Sequence, residues 1–188
     1  MGTFVYHARQ PNFTEERLIP LNKLKDKLPE VYNQAVKKYN GREWLLEARL
    51  PSLGCLWNDV LHFSLTHPAV IYRHLSEAGL DYRGWEVRWF EVPLDDILAQ
   101  PCTLYRNSRK DRSKKEFPPE DFEAVTPERV KELSAMPARN LDYYRECVAQ
   151  KTYPLLWGYA PHVLLNGELD VSPYRIFDWR DKGGQGAC

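Results

Sequence analysis

The chain reads as a single α+β domain, a mixed or antiparallel β-sheet core with flanking helices. Two observations predict this. Short β-branched and aromatic runs alternate irregularly with segments of helical period, without strict β-α-β order. The 188 residues suffice for one hydrophobic core, and 26 basic against 26 acidic residues leave no net charge to draw the chain onto nucleic acid or an anionic membrane. The domain spans residues 1–180, with a mobile basic loop at about 105–120 and a flexible tail at 181–188.

The elements follow in order. "TFVYHA" is a strand that places His7 near its end. In "PLNKLKDKLPEVYNQAVKKYNG", Leu21, Leu24, Leu28, Val31, Ala35 and Tyr39 recur at helical spacing; Pro29 breaks or restarts the helix and Gly41 closes it. "REWLLEARL" and "DVLHFSL" read as two strands. Thr66 is the expected N-cap of a helix with Pro68 in its first turn, Ile71, Leu75 and Ala78 inward, and Gly79 as the stop. "GWEVRWFEVPL" is the clearest strand, and "PLDDIL" a helical turn after it. Arg106, Arg109, Lys110, Arg112, Lys114 and Lys115 mark the basic loop. "TPERVKELSAM" and "RNLDYYRECVAQ" read as helices, and "PHVLLNG" and "YRIFDW" as strands around an Asn166-Gly167 turn.

No run approaches the roughly 20 apolar residues of a membrane helix, so no membrane association is expected. The N-terminus shows no leader pattern. Cys55, Cys102, Cys147 and Cys188 lie far apart without a C-x-x-C pair, which fits neither a zinc framework nor a disulfide scaffold and suggests a cytoplasmic location. His62, His67 and His74 lack metal-ligand spacing, so no metal is expected.

The residues that draw chemical interest are histidines on strands. His62 and Ser64 share one strand face, where an imidazole and a hydroxyl can contact one phosphate or ribose. Against this stands the bland alternative of an ordinary polar sheet face. His7, beside Arg9 and Asn12, is placed to hydrogen-bond a ribose hydroxyl, or simply to sit half-solvated at a strand end. His67 and His74 read as structural. Asp59, Glu168 and Asp170 are the available carboxylates.

Read in order, "VYHA", "LHFSLTHPAVIY" with its Pro-x-x-x-Tyr helix, "WFEVPLDDIL" and "PHVLLNGELDV" resemble the ADP-ribosyltransferase fold, in particular the DarT-type enzymes that modify nucleic acid bases with NAD. The resemblance implies NAD as cofactor and His7 in contact with it. It implies Tyr72 on the helix beside the nicotinamide and Arg49 steadying the pyrophosphate; Ser64, from its place beside His62, joins them as a candidate cofactor-binding residue. A nucleic acid or protein acceptor and a toxin- or effector-like role are also implied. There is one departure. Where that family carries a catalytic glutamate, this chain has His162, with Glu168 six residues on.

"LHFSL" and "PHVLL" also resemble the H-x-(Ser/Thr) pair of two-histidine phosphoesterases, which cleave 2′,3′-cyclic phosphates, except that Leu164 stands where the second hydroxyl belongs. That likeness implies His62 and His162 as base and acid. Each likeness has one broken position, which is also what a non-catalytic protein-interaction domain would show.

Overall fold

A computed structural model describes residues 2–11, 13–82, 84–108 and 115–181. Residues 109–114 of the expected basic loop and nearly all of the expected tail therefore lie outside the described residues. The chain is α+β, as the sequence predicts. Seven strands form one sheet in the order β6-β5-β7-β3-β1-β4-β9. These are β1 (Phe4–Ala8), β3 (Leu61–Ser64), β4 (Arg88–Pro93), β5 (Cys102–Tyr105), β6 (Phe122–Glu123), β7 (His162–Leu165) and β9 (Arg175–Asp178). All pairings are antiparallel. A separate ribbon joins β2 (Arg17–Leu18) to β8 (Leu169–Asp170).

Both faces of the sheet are covered. On one face Val5, Phe63, Phe90, Val92, Leu104, Val163 and Leu165 pack under Leu94 and Ile97 of α4 (Leu94–Leu98), Val130 of α5 (Pro127–Glu132) and the β2–β8 ribbon. Burying a large apolar side chain contributes roughly 1.5–3 kcal/mol, so this layer supplies much of the driving force. The opposite face carries two clusters side by side. Tyr6, Trp89 and Phe177 meet Ile71 and Leu75 of α3 (Pro68–Glu77) and Tyr144 of α6 (Ala138–Ala149). Tyr105 and Leu164 meet Leu21, Tyr39, Leu45, Leu50 and Phe117. The double cover explains why all four residues of β7 are buried.

Local chemistry sets the helix ends. Pro29 opens α2 (Pro29–Ala35) after α1 (Leu21–Lys27) because it has no N–H to continue the first helix. A 3₁₀ turn, Val36–Tyr39, follows, and Gly41 at φ 78° reverses the chain. Helix α3 ends at Gly79, φ 93°, with the Leu80 N–H bonded to the Leu75 carbonyl at 3.0 Å. Thr126 caps α5 by accepting the Arg129 N–H at 3.2 Å.

Four expectations change. "REWLLEARL" is not a strand: Glu43–Leu46 is a 3₁₀ turn and only Arg49 bridges, to Leu56. Its buried residues, Leu45, Ala48 and Leu50, are spaced three and two apart, which suits a segment lying over the sheet. The N-cap of α3 is His67, whose Nδ1 accepts the Ala69 N–H at 3.1 Å, while Thr66 is turned inward and fully buried. In "GWEVRWFEVPL" only Arg88–Pro93 pairs. After Asn166-Gly167 the chain enters β8, and "YRIFDW" crosses to pair with β4 at the far sheet edge.

A buried histidine seam as the candidate functional site

The registers align Tyr105, His162, Ser64, Tyr6, Glu91 and Arg175 in one row across five strand pairings. His62, two residues from Ser64, shares that face. The polar face is therefore neither a wet surface nor a plain core. It forms a seam between the two aromatic clusters.

His62 and His162 have ring centroids 6.4 Å apart at 85°. Trp57 lies 4.4 Å from His62, and Trp157 and Tyr105 lie 5.1 and 6.1 Å from His162. Trp57 also stacks on Phe117 at 4.7 Å and 18°. His62 donates from Nε2 to the Trp57 carbonyl at 3.1 Å, since a carbonyl can only accept, which leaves Nδ1 as its acceptor nitrogen.

His7 occupies the neighbouring strand. β1 makes five register pairs with β4 but one, Tyr6 to Ser64, with β3. Beyond that pair the link is made by a side chain: His7 Nδ1 donates to the His62 carbonyl at 2.8 Å. Its Nε2 is thereby the acceptor in the neutral ring. By alternation His7 lies on the sheet face opposite His62, with its ring 5.3 Å from Phe63.

Both rings are held neutral. Burial pulls His7 down to about 4, aided by the Lys38 charge and opposed by the bond to His62. Burial also lowers His62 well below the ordinary histidine value, followed by the charges of His162 and Lys38. Neutral imidazoles at pH 7 can accept a proton or hold a hydroxyl, the property required of a general base.

The remaining sequence candidates are placed elsewhere or committed elsewhere. Ser64 is fully buried, donates to the Thr66 carbonyl at 2.9 Å and accepts the Thr66 N–H at 3.1 Å, so its hydroxyl closes a turn. Tyr72 packs on Trp179, centroids 5.4 Å apart. Arg49 is exposed on the loop that covers the sheet. Glu168 binds Lys27 at 2.6 Å and Lys23 at 3.7 Å, fastening the β7–β8 turn to α1. The Lys27 bond lowers its pKa. Asp59 accepts from Asn22 and from the Leu56 N–H, both at 2.7 Å. Asp170 accepts from Ser172. His74 meets Asn140 at 3.3 Å. Two cavities flank Arg9, at about 130 and 270 Å³; the larger is lined by Arg9, Pro11, Glu86 and Arg88. Among the described residues no group of three His, Cys, Asp or Glu side chains is arranged to hold a metal ion, and no helix is long and apolar enough to cross a membrane.

Sequence reasoning missed Trp57, Tyr105, Trp157 and Lys38. The six Trp and eleven Tyr of the chain are a general sign of ring-lined sites, but they single out none of these positions and give no sign of Lys38.

The fold and seam define a class: an α+β domain whose seven-stranded antiparallel sheet carries histidines on three central strands, β1, β3 and β7. Scanned against protein-family models and compared with curated proteins and with solved structures, the chain has no match in any of the three.

Proposed function

We propose that the chain is an NAD-binding domain of the ADP-ribosyltransferase type, cytoplasmic and toxin- or effector-like, acting on a nucleic acid or protein acceptor. One observation carries the reading. The four segments that resemble that fold, although scattered from residue 5 to residue 171, form the contiguous strands β7-β3-β1-β4 at the centre of the sheet. The described cysteines are all unpaired, in keeping with a reducing compartment.

The residues fit a nucleotide better than they fit transfer. His7 offers Nε2 to a ribose hydroxyl beside the point where β1 and β3 part. The carboxylate that transfer requires is replaced by His162, and Glu168 is engaged with two lysines. NAD, when bound, supplies the glycosidic bond that is broken in this chemistry. The chain's own contribution is to bind and orient it, with slow transfer. The test is thermal unfolding with NAD. A rise in Tm that is lost in His7→Ala agrees with the proposal, and no shift at millimolar NAD counts against it.

A second reading is favoured by the 6.4 Å separation of His62 and His162 on one face of adjacent strands. As acid and base they would open a 2′,3′-cyclic phosphate, one imidazole taking a proton from water while the other protonates the leaving oxygen. Hydrolysis of a 2′,3′-cyclic nucleotide lost in both His62→Ala and His162→Ala supports this second reading; activity surviving both disposes of it.

A further inference from the structure

Several cations of this chain sit against an acid. Lys23 and Lys27 meet Glu168, Arg129 meets Glu123 and Glu132, Arg175 meets Glu91, and Arg180 meets Asp178. Lys38 and Arg42 instead share one aromatic ring. The Lys38 ammonium lies 5.1 Å from the Tyr39 ring centroid and the Arg42 guanidinium carbon 5.9 Å from the same centroid. Among the described residues no carboxylate comes within ion-pair distance of either. The nearest acid in sequence, Glu43, is turned back onto the Gly41 N–H at 2.8 Å.

The backbone builds this pairing. Gly41, at positive φ, folds the chain so that the Arg42 N–H bonds the Tyr39 carbonyl at 2.7 Å, and the Arg42 side chain bonds the Lys38 carbonyl. Two like charges are thus held over one aromatic ring. Each is attracted to the ring face but repelled by the other, an arrangement that an anion between them would relieve. Tyr39 itself is buried, and Trp57 packs against the same cluster. Trp57 in turn lies on His62. A ligand held at the cation pair therefore borders the histidine seam. The Lys38 charge acts on both His7 and His62, which is consistent with that placement.

We propose that Lys38 and Arg42, seated over Tyr39 at the edge of the histidine seam, form an anion-binding site that takes the diphosphate of a nucleotide. Two cations suit two linked phosphates better than one: the guanidinium engages one phosphate in a fork and the ammonium acts as a point charge on the other. The nucleotide identity of the ligand rests on the reading above. The anion site itself does not, because free pyrophosphate carries the same chemistry.

The test is titration calorimetry on the full chain at low salt, in a buffer free of phosphate, with inorganic pyrophosphate, ADP and adenosine. Pyrophosphate and ADP are expected to bind, and adenosine at least about tenfold more weakly. Lys38→Ala and Arg42→Ala, each checked by circular dichroism for an unchanged fold, are expected to weaken pyrophosphate about tenfold or more, while Lys38→Arg retains most of the affinity. No heat with pyrophosphate, equal affinity in Lys38→Ala, or adenosine binding as tightly as ADP would each overturn the site. NAD binding that survives Lys38→Ala unchanged would overturn the site and spare the NAD reading. Pyrophosphate binding without NAD binding would do the reverse.

Discussion

Mild acid is the perturbation to which this architecture should respond most characteristically. His7 titrates near 4 in the folded chain against about 6.5 when unfolded. The unfolded chain therefore binds protons that the native chain refuses, and stability falls as pH drops from 6.5 toward 4. Above 6.5 the contribution is complete. The gap corresponds to about 3 kcal/mol for His7, an upper figure because the residue is partly open to solvent. His62 is depressed in the same direction and adds to the loss with the same sign. In the middle of the window each histidine lowers the unfolding free energy by about 1.4 kcal/mol per pH unit. Against a total of about 5–15 kcal/mol, that is a sizeable fraction of the stability of the domain. The carboxylates lowered by their partners, Glu43, Glu168, Asp170 and Asp178, lose stability only as pH falls through their own depressed values. The interval from 6.5 to 5 therefore isolates the imidazoles. The assay is urea unfolding, followed by tryptophan fluorescence, at half-unit steps from pH 7.5 to 5, on wild type and His7→Asn. Asn keeps a side-chain N–H for the His62 carbonyl but does not titrate. The variant should lose the part of the acid sensitivity that His7 carries, the remainder staying with His62 and His67, both also lowered by burial. A flat wild-type profile, or an identical slope in His7→Asn, would refute the assignment of a buried neutral histidine at the β1–β3 junction.

Other outcomes follow from single contacts. Leu75→Ala, at a position with no solvent exposure in the cluster under α3, should cost about 2–5 kcal/mol in denaturant unfolding. Gly79→Ala should cost about 1 kcal/mol through its positive φ alone, because a Cβ there meets nothing within 4 Å. Thr126→Ala removes the α5 cap and should cost about 1 kcal/mol, read as a lower Tm. Glu168→Gln breaks exposed ion pairs only, so stability should change by about 1 kcal/mol or less and NAD binding should not change.

The parts of the fold that were legible in the sequence are those in which a local rule and the tertiary packing agree. β1 and β3 declare themselves by β-branched and aromatic runs, and the break at Pro29 follows from its missing N–H. α3 is announced by Pro68, its apolar stripe and Gly79. The failures share a cause. "REWLLEARL" has the composition of a strand, but burial of Leu45, Ala48 and Leu50 against the sheet face decided its conformation. β5 is a four-residue strand, too short to show a period, and its place beside β7 depends on a pairing 60 residues away along the chain. The Asn166-Gly167 turn was visible, but nothing local says that β8 pairs with β2 rather than with the strand that follows. At the site, the alternation that puts His62 and Ser64 on one face was readable. Whether that face would be wet, buried or seamed was not, because Trp57 and Trp157 reach it from irregular segments. The bond that turns Ser64 inward arises from a turn two residues on, at Thr66.

The account stands most directly on whether the chain binds a nucleotide at His7, and calorimetric titration of NAD into wild type and His7→Ala measures that. Saturable binding to wild type that is lost or greatly weakened in a folded His7→Ala is the predicted result. No binding to wild type at millimolar NAD, or equal affinity in the variant, would contradict it.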